Sequence, residues 1–253
     1  MSRRARAWTE RAIPRTGGAL PSWLKLRQPS GRDELALAGI DTDSATAFLD
    51  RLVEPAIATG ELAASDRDTL LAMLHRGLWG DRIVSSLTCS ACGEMYDLSF
   101  ALSALQQSLE AAREPSSPGS GVRVIVDREG REYRLPSARA ETEAAVVAGA
   151  GAYAVLAGAI GDDHDPVTLD ARLEVLAPII DVDLDAPCAE CGHAALVRFD
   201  IQTFTLQRLL DEREGILAEV HAIASGYGWS LDEILGLDRT MRRAFADRLA
   251  GTA

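Results

Sequence analysis

A chain of 253 residues that is 47% hydrophobic and 25% charged can bury a sizeable core, which excludes a wholly disordered protein. Aromatic residues make up only 5%, so that core is built mainly from Ala, Leu and Val, which suit close-packed helices. A net charge of −12 disfavours nucleic acid as a partner of the body, because an acidic surface repels phosphate.

The charge is uneven. Residues 1–27 carry seven basic side chains (Arg3, Arg4, Arg6, Arg11, Arg15, Lys25 and Arg27) against Glu10 alone, which leaves −18 on the remainder. Residues 1–30 therefore read as a basic, flexible N-terminal arm, either solvated or ordered by an acidic partner surface. No apolar stretch follows its basic residues before Pro14 and Gly17, so no secretory leader is expected and a cytoplasmic location follows.

Residues 31–253 are expected to form one elaborated domain. Trp23, Leu24 and Leu26, just before it, are the residues placed to tuck against other parts of the chain. In the helical region 43–80, a first helix from Asp43 or Ser44 carries Phe48, Leu49, Leu52 and Val53, ending at Gly60. Ser65 and Asp68 form a capping box for a second helix through Leu70, Leu71, Leu74 and Leu78, stopped by Gly80. Residues 81–113 hold the branched run Ile83–Leu87, the motif CSACG at 89–93, and a helix carrying Phe100, Leu102, Leu105 and Leu109.

An inserted hairpin and helices occupy 122–178. After the loop EPSSPGSG at 114–121, alternation over 122–135 with a turn at Glu129 and Gly130 predicts a hairpin. Tyr133 and Leu135 are expected to share a face with Val124 or Val126. The uncharged run at 144–160 is too rich in Ala and Gly, and too acidic at its flanks, for a membrane span, and reads as a buried helix. DDHD at 162–165 reads as a polar connection, followed by a helix through Leu169, Leu173 and Leu176.

The second cysteine motif, CAECGH at 188–193, lies in residues 179–200 behind the run Ile179–Leu184. C-terminal helices fill 202–250. One long amphipathic helix is expected from Thr203 through Ile223, ending near Gly226–Trp229. Ser230 and Glu233 cap a short helix, and a last helix carries Arg239, Arg242, Arg243, Phe245 and Leu249.

All four cysteines fall in the two CxxCG motifs. Two such pairs supply the four thiolates of a closed tetrahedral site, so Cys89, Cys92, Cys188 and Cys191 are the expected ligands of one structural Zn²⁺. His193 is a weaker substitute for a cysteine. Sliding the chain by 99 residues superimposes the motifs and also places Leu98 on Val197, Phe100 on Phe199 and Leu102 on Ile201. The fold class read from these patterns is α+β: predominantly helical, with a split zinc-ribbon-like module made of two CxxCG hairpins. A closed site has no open coordination position, and no nucleophile–base pair or phosphate loop is present, so no enzyme and no small-molecule substrate are expected.

Four stretches in order carry a resemblance: DTLLAMLHRGLWGDRI running into CSACG with Asp97 and Phe100; YRLP at 133–136 before an alanine-rich helix; CAECG followed by FDI at 199–201; and EVHAIASGYGWSLDEILGL followed by Arg242 and Arg243. Together they resemble a family of baseplate-associated proteins encoded with contractile phage tails of the T-even type and related contractile injection systems. The chain departs from such ribbons in lacking a proline after Cys89, and its arm has no counterpart. The resemblance implies a non-enzymatic structural or assembly role, with other baseplate or tail proteins as partners and incorporation in the assembled particle as one outcome. Tyr227 and Trp229, with Arg242 and Arg243 one short helix away, are the expected partner contacts. The alternative is a zinc-ribbon nucleic-acid-binding or transcription accessory protein that uses the Arg-rich arm.

Overall fold

The computed structural model describes Ala12 and residues 23–119, 121, 123–147, 151–152, 154–156 and 166–251. Most of the N-terminal arm, residues 148–150, 153 and 157–160 of the 144–160 run, and the DDHD cluster lie outside the described residues. The fold is mixed α+β, helices with small antiparallel sheets.

Strand β1 (Lys25–Leu26) pairs antiparallel with β2 (Val53–Glu54). Leu24 and Leu26 are buried in the main core, and Leu24 exchanges two backbone hydrogen bonds of 2.7 Å with Ala12. The body therefore takes in this part of the 1–30 segment, because its apolar side chains have core to fill. Helix α1 (Gly31–Leu35) opens with a capping box in which Ser30 N donates to the Asp33 carboxylate. Helix α2 (Thr42–Asp50) starts just ahead of the predicted position because Asp41 caps it, accepting from Ser44 N at 2.7 Å.

Helix α3 (Ala64–Trp79) crosses the core with Leu70, Leu71 and Leu74 buried. The expected Ser65–Asp68 capping box does not form: the N-cap is Ala63, without a side-chain cap bond. Asp68 is diverted to a long-range contact, accepting from Ile180 N at 2.8 Å. Gly80, at φ +91°, then turns the chain out of the helix.

Strands β3 (Arg82–Thr88) and β4 (Met95–Ala101) form the first hairpin, followed by helix α4 (Leu102–Ala112). Phe100 thus lies in a strand, paired with Ile83, and not in the helix. In the insertion, β5 (Ser117–Pro118), β6 (Val124–Val126) and β7 (Glu132–Arg134) make a three-stranded sheet. Its turn is set by Asp127, whose carboxylate accepts from Glu129 N and Arg131 N at 3.0 and 2.9 Å. The register pairs Tyr133 with Ile125, so Tyr133 shares a face with Ile125 and neither Val124 nor Val126. These two cluster with Ala63, Leu135 and Leu176 in a satellite core. Helices α5 (Ala138–Val147) and α6 (Pro166–Leu176) lead to the second hairpin, β8 (Asp181–Asp185) and β9 (Leu196–Asp200).

Helix α7 (Ile201–Asp211) follows without a gap, and α8 (Arg213–Tyr227), α9 (Leu231–Gly236) and α10 (Arg239–Ala250) complete the chain. The single long helix expected from Thr203 is two helices that meet at Glu212. The Glu212 carboxylate accepts from Trp79 Nε1 at 2.8 Å and faces Arg239 and Arg243. The Ser230–Glu233 capping box forms as expected. No helix among the described residues is long and apolar enough to cross a membrane.

Candidate metal centre

Each cysteine motif closes a hairpin by the same local bonds. Cys89 N donates to Glu94 O and Gly93 N to Cys89 O, both at 2.9 Å; Cys188 N donates to His193 O at 3.0 Å and Gly192 N to Cys188 O at 2.9 Å. Gly93 and Gly192 adopt φ of +78° and +73°, a region that a side chain would strain. The chain curls so tightly here because these glycines allow it.

The equivalence extends to whole elements. The unit β3–β4–α4 overlies β8–β9–α7 at an offset of 99 positions: both helices span 11 residues, while the strands of the first hairpin have 7 residues each and those of the second 5. Even the helix entries match: Leu102 N donates to Asp81 O and Ile201 N to Ile180 O. The two units meet reciprocally, with Cys89 Sγ 3.7 Å from Cys191 Sγ and Cys92 Sγ 3.8 Å from Cys188 Sγ. Reciprocal contacts of this kind are the signature of a two-fold relation.

The four sulfurs all lie within 4.8 Å of one another. A tetrahedral thiolate site with metal–sulfur bonds of about 2.3 Å has sulfur–sulfur edges of about 3.8 Å. The two measured cross-hairpin distances match that edge, so the cluster can hold a metal ion. Cys89 and Cys188 are buried while Cys92 and Cys191 are exposed. The hairpins are also tied by Tyr96 Oη donating to Ala186 O at 2.8 Å. Ser90 Oγ lies 3.4 Å from His193 Nε2, and that ring is outside the four-sulfur group.

The electrostatics of the cluster suit a cation. The Cys92 and Ala91 amides point at Cys89 and pull its thiol down to about 6. At Cys92 the Glu94 amide pulls the same way, but burial and the three neighbouring sulfurs outweigh it and push the thiol up to about 12. Cys191 is raised too: the His193 amide and Cys92 favour its thiolate, yet burial and the Cys89 and Cys188 sulfurs prevail. Thiolates set this close repel one another, and a bound cation would offset that repulsion.

The expected contact residues divide. Tyr227 and Trp229 stack at 5.4 Å and both meet the edge of Phe245, with Tyr227 40% exposed. Arg242 is not a surface residue: it is 1% exposed, held by Glu34 at 2.7 Å and Glu219 at 2.6 Å. A guanidinium buried between two carboxylates is spent on the fold. Arg243 is half-exposed and pairs with Glu212 and Glu219.

This buried ion-pair clamp, with Glu34 facing both Arg239 and Arg242, is not legible in the sequence. Its members lie more than 200 residues apart, and only the i,i+3 spacing of the arginines hints that they share a helix face. Comparison with models of protein families, with curated proteins and with solved structures finds no match to this chain.

Proposed function

We propose that the protein is a non-enzymatic structural or assembly component, stapled by one structural Zn²⁺ on Cys89, Cys92, Cys188 and Cys191, that serves the baseplate of a contractile tail or injection system. The observation that carries the metal reading is the meeting of four sulfurs from motifs 99 residues apart at tetrahedral spacing. An all-thiolate donor set favours zinc among the common ions of such geometry, and it leaves no position for water or substrate. The metal therefore supplies cross-linking, and the hairpins supply thiolates, amide hydrogen bonds and a fixed shape. The baseplate role rests on the ordered resemblance of four sequence stretches, which include both cysteine motifs and the GYGW segment.

Two measurements test the two parts separately. Elemental analysis of native protein is expected to give one zinc per chain; a metal-free or iron-loaded sample overturns the metal reading. Co-expression with the sheath, tube and wedge proteins of the same gene cluster is expected to yield a co-purifying baseplate subunit. Absence of such genes beside this one, or recovery of the protein alone, overturns the assembly role.

A further inference from the structure

The internal two-fold gives this molecule two equivalent grooves with opposite chemistry. The first, about 490 Å³, lies between the end of α3, strand β3 and helix α7, lined by Trp79, Arg82, Val84, Phe204, Arg208 and Asp211, whose carboxylate accepts from the Gln207 amide. The second, about 540 Å³, lies between the end of α6, strand β8 and helix α4, lined by Leu109, Pro178, Asp181 and Arg198. Trp79 and Pro178, Arg82 and Asp181, and Arg208 and Leu109 are counterparts 99 residues apart.

In the second groove the arginine is satisfied from within, because Arg198 binds Asp181 through two hydrogen bonds, and Glu174 adds a further carboxylate to the lining. In the first groove that device is missing. Ser99 stands where the second unit has Arg198, and Arg82 stands where it has Asp181. Among the described residues neither Arg82 nor Arg208 forms an ion pair. Arg208 stacks on the Trp79 indole with its guanidinium carbon 4.5 Å from the ring centroid. Burial and the nearby Arg239 and Arg243 work against its charge, with only Glu212 in support. Val84, on the groove wall, is 49% exposed.

We propose that the groove between β3 and α7 docks a short acidic segment of a partner protein, its carboxylates on Arg82 and Arg208 and an apolar side chain against Val84 and the groove-facing edges of Trp79 and Phe204. Charge complementarity selects this occupant: two guanidiniums outside any ion pair among the described residues, against one carboxylate and beside aromatic rings, match an alternating acidic and aliphatic peptide. A polyphosphate has no apolar side chain to set against Val84 and the two aromatic rings, so the apolar part of the lining favours the peptide. The inference names a surface for the assembly role and rests on that reading for its protein partner, not on the metal.

The test uses the full-length, metal-loaded chain and a fluorescein-labelled peptide, acetyl-Asp-Leu-Asp-Leu-Asp-Leu-amide, with its asparagine counterpart as control. Fluorescence anisotropy is expected to show binding of the acidic peptide that weakens about tenfold or more in Arg82→Glu and in Arg208→Gln. Arg198→Gln, in the second groove, is expected to leave binding unchanged. Because Arg82 is exposed, Arg82→Glu keeps the native melting curve and isolates the groove from folding. Equal binding of both peptides, no binding up to about 1 mM, or indifference to Arg82→Glu overturns the proposal. Tighter Arg82-dependent binding of an oligothymidylate also overturns it, reassigning the groove to phosphate. Failure of zinc analysis or of baseplate co-purification leaves these outcomes readable on their own.

Discussion

Phe100 and Phe199, one from each cysteine hairpin, meet edge to face with ring centroids 5.0 Å apart. They are counterparts in the 99-residue repeat, so a residue touches its own equivalent, which happens only beside a two-fold axis. The aromatic pair and the four sulfurs thus belong to one symmetric junction. Replacing either ring by alanine is expected to destabilise the fold by about 2–4 kcal/mol. In a double-mutant cycle the two losses should fall short of additivity by about 1 kcal/mol. Strict additivity in denaturant titrations would mean that the rings act independently.

Removal of the metal should loosen the molecule locally before it unfolds globally. With a strong chelator at neutral pH, the amides of 82–101 and 181–200 are expected to lose hydrogen-exchange protection while those of α3 keep theirs. The Cys92→Ser, Cys191→Ser double variant should reproduce this pattern without chelator. Uniform loss across the chain would instead make the ion a condition of the whole core.

Asp68 links α3 to the start of the second hairpin and is fully buried, and burial raises its carboxyl to about 7 despite the opposing pull of Arg67 and the Ile180 amide. Since the folded value lies above the unfolded one, its contribution is complete below pH about 4 and is lost as pH rises through about 7. Asp68→Asn keeps an acceptor for Ile180 N without that ionisation. The variant is therefore expected to gain on the parent progressively from pH 5 to pH 8, read as a growing difference in melting temperature. A difference that is constant with pH would show that Asp68 does not titrate in this range.

His75 is the converse case. Its ring is packed against Trp79 and Phe204, and among the described residues neither nitrogen has a hydrogen-bond partner. Burial and the nearby Arg208 depress it to about 4. The depressed value means that the neutral ring's contribution is intact above pH about 6.5 and is lost as pH falls toward 4. His75→Leu, which removes two unsatisfied polar atoms, is expected to stabilise by about 1–2 kcal/mol at pH 7 and by more at pH 5. Thermal melts at the two pH values check both the sign and the trend.

Glu34 is the carboxylate that both buried arginines of the C-terminal clamp share. Glu34→Gln would leave Arg239 and Arg242 facing an uncharged amide inside the protein, a loss of about 3–5 kcal/mol. Limited proteolysis should then release α9 and α10 ahead of the rest of the chain. A variant as resistant as the parent would show that Glu212 and Glu219 suffice.

What the sequence disclosed was local or repeated. The two CxxCG motifs, their glycines and their 99-residue offset identify the junction because thiolate spacing and positive φ leave marks on short stretches. The Ser230–Glu233 box and the turn at Glu129 and Gly130 were legible for the same reason. Misreadings came where a side chain serves a distant partner: Asp68 looks like a cap and holds Ile180, Arg242 looks like a surface contact and lies between Glu34 and Glu219, and Glu212 looks like mid-helix and binds Trp79. Short-range pattern carries no record of such pairings. The hairpin register at Tyr133 was missed by one residue, which in a strand reverses the face.

The sulfur junction spans a loop of 95 residues between Cys92 and Cys188, and a linkage of that kind changes what a cut backbone means. With the proposed ion bound, a protease that severs the chain once within that stretch would produce two fragments joined through the four sulfurs as well as through the shared core. Coordination at that site would keep the molecule continuous where a peptide bond no longer did.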